Sequence, residues 1–240
     1  MDYFRNIVVV AAIAGAIAGL GMTVAQQLTT VPLILKAEVY EQQGAAAPGH
    51  SHGNAAAPAH SHDAAGGEEA DGWAPADGFE RTFFSVAANI VTGIGFALLL
   101  LAVSELAGGI AGWRQGVFWG LAGFAVFTLA PGLGLPPELP AMPAAELGAR
   151  QLWWVATVAS TALALALLFY GRSLIAVIFA VALLVAPHLV GAPQPPSYAT
   201  PIPEGLHHSF IVAVVLTTLL FWVLLGGLAG LFRRRLIQAA

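Results

Sequence analysis

The residues of this chain best suited to chemistry are imidazoles, and four of its seven histidines crowd one polar stretch. Residues 45–65 read AAAPGHSHGNAAAPAHSHDAA, which sets His50, His52, His60 and His62 in two copies of a ten-residue unit, with Asp63 beside the last. Neutral imidazole nitrogens suit zinc, copper, nickel and cobalt, so a short His-rich tract is a compositional signal for metal capture. A solvated linker is the alternative, and the duplication argues against a chance tract. The surrounding alanine, glycine, proline and serine carry no apolar period. Such a segment cannot bury enough surface to offset its ordering entropy, so a flexible loop over residues 44–78 is expected.

The other histidines sit at the ends of apolar runs. His188 follows Pro187 in VALLVAPHLVGAPQPP, and His207 and His208 open a run just after Glu204. An ionisable group at membrane depth is costly, which makes it a functional candidate by default. With Glu38 and Glu41, three apart on one face of a helix, these histidines form a candidate transport site. Adjacent helical residues point apart, so only one of His207 and His208 can join His188. A neutral His188 bonded to a carbonyl freed by Pro187 is the competing reading. Asn89, Gln26, Gln151 and Arg150 are supporting polar residues, with Asn89 equally suited to interhelical glue. Arg150 has Glu146 at i,i+4 and Glu138 as prospective partners. The chain has no cysteine, so thiolate ligands and disulfides are excluded.

The elements that must position these groups are membrane helices. Of 240 residues 58% are hydrophobic and only 9% charged, and the mean hydropathy is +0.79. Soluble domains carry about a quarter charged residues. Six stretches approach or reach spanning length: 7–25, 83–106, 116–135, 152–170, 174–191 and 210–232. The expected fold is an all-α polytopic bundle of about six transmembrane helices in one domain, residues 1–240. The third stretch reads as the shortest, and a re-entrant third segment would leave five spans. The first run lacks a good cleavage site and reads as a retained helix. Gly15/Gly19, Gly116/Gly120 and Gly226/Gly230 repeat the spacing that lets helices approach closely. Trp153-Trp154 reads as an interfacial belt, and the prolines from Pro131 to Pro143 predict a non-helical loop.

Charge sets the orientation. Arg5, Arg114, Arg172, Arg233, Arg234 and Arg235 fall on the side of the N-terminus, against Lys36, Arg81 and Arg150 on the other. Positive charge marks the cytoplasm, so both termini are expected inside and the histidine loop outside a bacterial inner membrane. Eleven of the thirteen acidic residues then lie outside, all but Asp2 and Glu105, and attract cations there. No phosphate-binding loop, His-Glu-x-x-His or Gly-x-Ser-x-Gly motif appears, so the chain reads as neither an ATPase nor a hydrolase, and no enzyme activity is expected.

VPLILKAEVYE, ANIVTGIGFALLL, WGLAGFAVFTLAPGLGLPPELPAMPAAELGARQLWW and APHLVGAPQP resemble the CbtA family, nearly throughout the chain. LAPGLGLPPELP…ARQLWW is the most specific block. The resemblance implies the membrane subunit of a cobalt transporter linked to cobalamin supply. It also implies a small single-span, His-rich partner, CbtB. The family is commonly described as five-spanning, whereas these residues read as six. The expected partners are the metal ion, the lipid bilayer and that subunit, and no nucleic acid is expected. No resident cofactor is expected, and the cargo is a divalent metal: cobalt, nickel or zinc. Two other readings stay open, a haem-binding redox protein using His188 with His207 or His208, and a metal sensor or assembly factor anchored by its helices.

Overall fold

A backbone in hydrocarbon finds no water to bond, which confines an apolar chain of this kind to helices. The computed structural model describes residues 2–45, 75–76 and 78–236, and among them no strand occurs. The helices are α1 (Asp2–Leu28), α2 (Thr30–Ala45), α3 (Phe79–Leu106), α4 (Trp113–Phe124), α5 (Ala130–Gly134), α6 (Leu147–Tyr170), α7 (Leu174–Val190) and α8 (Glu204–Leu236). A π-helical turn, Ala125–Leu129, joins α4 to α5 without a break. Five stretches are long and apolar enough to cross a membrane: α1, α3, the 22-residue run Trp113–Gly134, α6 and α8. The chain is an all-α multi-pass membrane protein.

The sixth apolar helix, α7, has 17 residues and is the shortest. The third segment, expected to hold that place and to be the re-entrant candidate, instead runs antiparallel along α8. Gly116 meets Gly226, Gly120 meets Trp222 and Gly112 meets Gly230. The π-turn just ahead of Pro131 is how this run takes in a proline, whose missing N–H and ring break the ordinary ladder. α7 in turn returns antiparallel to α6, since Trp153 Nε1 donates to the Pro187 carbonyl at 3.2 Å and Ser160 Oγ to that of Leu183 at 3.1 Å. The six apolar helical stretches therefore alternate in direction, five of them long enough to span. Residues near both ends of the chain meet at one end of the bundle, where Asn6 donates to the Leu236 carbonyl at 3.1 Å. This is the proximal end; the histidine-bearing segment follows α2 at the other, distal end.

Between helices in lipid there is little hydrophobic drive, so close van der Waals approach decides which helices pair. The glycine pairs read from the sequence do this. A Cβ on Gly15 would stand 2.5 Å from Ile94 Cα, and one on Gly19 equally close to the Asn89 carbonyl, so α1 and α3 touch backbone to backbone. Gly116, Gly120, Gly226 and Gly230 do the same for α4 and α8. α1 also packs on α8, which joins the two pairs around Val10, Leu101, Leu225 and Trp222. Gly19→Val or Gly120→Val is expected to cost at least ~1–3 kcal/mol by overpacking, whereas Gly95→Ala, with open space around it, is expected to be tolerated. Thermal unfolding in detergent checks this; equal midpoints for Gly19→Val and Gly95→Ala would show that the close approach does not matter.

The proximal end is closed by one charged cluster. Arg233, 6% exposed, donates through Nε to Glu105 Oε1 at 2.7 Å and through Nη2 to Oε2 at 3.1 Å. Its Nη1 reaches the Ile110 carbonyl at 2.7 Å, and Tyr3 Oη donates to Glu105 Oε2 at 2.5 Å. The cluster ties α1, α3, the α3–α4 loop and α8. Gly109 lies directly against the guanidinium with φ at +78°, a position closed to a side chain on both counts. Arg233→Ala strands a half-buried carboxylate and is expected to cost about 3–5 kcal/mol. Arg233→Lys should restore only part, because an ammonium cannot make the two-pronged bond. Full restoration by lysine in the same unfolding assay would mean that the geometry of the pair is immaterial.

Candidate functional site

Polar residues gather at the distal end because the chain builds a small second core there. α1 gives way to α2 at Thr29, where Pro32 supplies no N–H to the turn before it. Thr29 and Thr30 turn their hydroxyls back to the Ala25 carbonyl at 2.7 Å and the Gln26 carbonyl at 3.3 Å. α2 then continues past Pro32 and buries Ala37 with Leu139, Ile202 and Phe210. Two proline-rich loops, 135–146 and 191–203, supply Leu139 and Ile202. Thr200 Oγ1 donates to the Ala141 carbonyl at 3.1 Å and links them.

Two ion pairs brace this core. Glu38 accepts from Arg81 Nη2 at 2.6 Å, joining α2 to the start of α3. Arg150 chooses Glu138, at 3.1 Å, over Glu146. Glu146 is occupied instead as the cap of α6, accepting from the N–H groups of Gly148 at 2.7 Å and Ala149 at 2.6 Å. Those two N–H groups hold its carboxyl below the usual carboxylate range. A depressed carboxyl stabilises the fold above its unfolded value, and the contribution disappears as pH falls through the lowered one. The protection factors of the Gly148 and Ala149 amides, which remove the intrinsic pH dependence of exchange, should therefore fall on acidification in the parent protein and stay level with pH in Glu146→Gln. A pH-independent protection factor in the parent would remove the carboxylate from the cap.

The predicted transport residues are dispersed. His207 shares a hydrogen bond of 3.1 Å with the Pro137 carbonyl, where it holds the 135–146 loop to α8. His208 and Glu41 are exposed. His188 stands edge-on to Trp153, with ring centroids 5.9 Å apart. The carbonyl that Pro187 frees, that of Leu183, is met by Ser160 rather than by His188. Glu38 is bound to Arg81. Among the described residues no group of three or more His, Asp or Glu side chains converges, so His188, His207, Glu38 and Glu41 do not form one metal centre. Trp153 is buried with its indole N–H spent on Pro187, and Trp154, partly exposed, leans on Phe127. Gln151 is exposed. His50, His52, His60, His62 and Asp63 lie outside the described residues.

Deeper in, Asn89 does act as glue. Its Nδ2 donates to Gln26 Oε1 at 2.6 Å and to Thr23 Oγ1 at 3.0 Å, bonding α3 to α1. Sequence reasoning passed over Met22, Thr30 and Thr217. These three and Gln26 line a cavity of about 140 Å³ between α1–α2 and α8. Thr217 Oγ1 is 3.1 Å from Thr29 Oγ1. The signal available was a hydroxyl pair, Thr217-Thr218, inside an apolar span. It was weak, because such hydroxyls usually turn back on their own helix, as Thr218 does toward Val214. Nearer the distal surface a cleft of about 460 Å³ lies between Lys36, Tyr40 and Gln43 of α2 and Pro203 and Leu206 beside α8.

A family model described as "Probable cobalt transporter subunit (CbtA)" matches residues 4–234, nearly the whole chain. The chain belongs to the CbtA family. No match is found among curated proteins or solved structures. A match of this extent takes in the glycine-paired bundle, the Arg233–Glu105 pair and the distal core together. The word subunit in the family description implies a complex.

Proposed function

We propose that this chain is the membrane-spanning subunit of an uptake system for a divalent transition metal, cobalt by its family. The observation that carries the reading is the family match over residues 4–234. On this reading the metal is cargo and no resident cofactor is needed. The bundle sits in a bacterial inner membrane with the proximal end in the cytoplasm, as Arg5, Arg114 and Arg233–Arg235 favour. The histidine loop lies outside and collects the ion through His50, His52, His60 and His62, with Asp63 adding charge. It passes the ion to the acidic distal end, where His207 and His208 open α8 beside the cleft between α2 and α8. Imidazole alone favours copper and nickel over cobalt. Selection therefore belongs to the bundle and to the partner, a small single-span His-rich subunit of the CbtB kind.

The roles divide accordingly. The loop raises the local ion concentration and so sets the rate only when metal is scarce. His188, edge-on to Trp153, orders the α6–α7 hairpin. Radiolabelled cobalt uptake by cells expressing the chain with its partner tests the scheme. Deletion of residues 44–67 is expected to slow uptake at scarce cobalt and to leave it unchanged at excess. Uptake unaltered at both concentrations would rule out capture by the loop, and no cobalt uptake by the intact pair would remove the transport reading itself.

A further inference from the structure

The cleft and the cavity lie in series along a single seam. On α8 its wall runs through Leu206, Phe210, Val214 and Thr217. Facing it, Tyr40, Ala37, Ile34 and Thr30 descend α2, and Gln26 and Met22 continue on α1. Thr217 is thirteen residues below Glu204, about 20 Å along a helix rising 1.5 Å per residue, and so close to the middle of a bilayer. Polar groups at that depth are costly and mark a pathway when they face a cavity rather than lipid. Gln26, Thr30 and Thr217 do so, each oriented by a second polar group: Asn89 behind Gln26, the Gln26 carbonyl behind Thr30 and Thr29 behind Thr217.

The seam ends below this cavity. One turn further down α8, Phe221 and Trp222 join Phe96 and Phe127 in an aromatic cluster, with Phe96 and Trp222 centroids 4.9 Å apart. Phe127 and Trp222 stack at 5.6 Å and 8°. The Arg233–Glu105–Tyr3 cluster shuts the same helices at the proximal end. The cavity is thus blocked toward the proximal end, and on the distal side the small core of Ala37, Leu139, Ile202 and Phe210 stands between it and the cleft.

Its polar lining fits one class of occupant, set among the apolar Ile34, Phe210 and Val214. Gln26 offers an amide, Thr30 and Thr217 hydroxyls and Met22 a thioether, a neutral set of mixed hardness that a transition-metal dication accepts. Neutral dipoles bind weakly enough to release, as transport requires. Lys36 on the cleft wall opposes a bare cation there, so the ion passes that level hydrated. We propose that the α2/α1–α8 seam is the entry path and that Met22, Gln26, Thr30 and Thr217 form a transient site for a divalent transition-metal ion. This rests on the reading of the chain as a metal-transporter subunit.

The absence of cysteine from the chain supplies a direct test. In full-length protein in membrane vesicles, Thr217→Cys should react with a membrane-impermeant maleimide applied to the side of the histidine loop. Leu220→Cys, on an exposed position of the same helix, should react about tenfold more slowly, as for a thiol behind an added barrier. Cobalt chloride should protect the first thiol and not the second. Equal labelling, or labelling of Thr217→Cys indifferent to cobalt, overturns the site. For uptake with the partner present, Gln26→Leu/Thr217→Val should be slower by about tenfold, the loss of one dipolar ligand to an ion. Thr217→Ser should keep the parent rate. Parent uptake matched by the double variant refutes the site and leaves the transport reading standing; no uptake by the parent system refutes both. If the double variant fails to fold, the labelling of Thr217→Cys decides alone.

Discussion

Helices in lipid gain little by hiding apolar surface from one another, so this molecule depends on how closely its backbones can approach. Glycine at four-residue spacing sets that distance twice, between α1 and α3 and between α4 and α8. Contact of α1 with α8 joins the two pairs into one body. The α6–α7 hairpin is attached differently. α6 rests on the π-turn and α5, and α7 rests on α6, with Ala180 its only buried residue. The four-helix body is therefore the rigid part, and the hairpin is a peripheral layer facing lipid or another subunit.

The two ends of that body are closed by different means. At the proximal end a buried guanidinium gathers three helix ends and a loop, using a carboxylate, a phenol and a backbone carbonyl. At the distal end α2 continues from α1 past Thr29 and Pro32, and loops rich in proline pack Leu139 and Ile202 against it. The cleft lies at that end and the cavity deeper on the same side of α8. Acidic residues collect at the same end, so charge and space coincide there.

Membership of the CbtA family gives this geometry its context. A transporter subunit needs a polar way in, a barrier and a way out that opens on demand. The seam beside α8 supplies the first in the proposed scheme, and the aromatic cluster around Trp222 supplies the second. The distal histidines and carboxylates are mostly engaged in holding loops and helix ends: His207 with Pro137, Glu38 with Arg81, Glu138 with Arg150.

Composition and spacing alone determined the class of the molecule and the glycine contacts, because hydropathy and four-residue periods are local properties; they gave six spans where five stretches are long enough to cross. The same holds for the family, legible in LAPGLGLPPELP and ARQLWW. The sequence also indicated Asn89 as glue between helices. Pairing of charges was decided only by the tertiary structure. Arg233 looked like one of three arginines marking the cytoplasm, yet it turns inward to Glu105, which had looked like a stray acid 128 residues away. Glu138 and Glu146 were equal partners for Arg150 until capping claimed Glu146. The cavity at Thr217 was hidden for the same reason: its lining comes from α1, α2 and α8, and only the close approach of helices distant in sequence brings those residues to face one another.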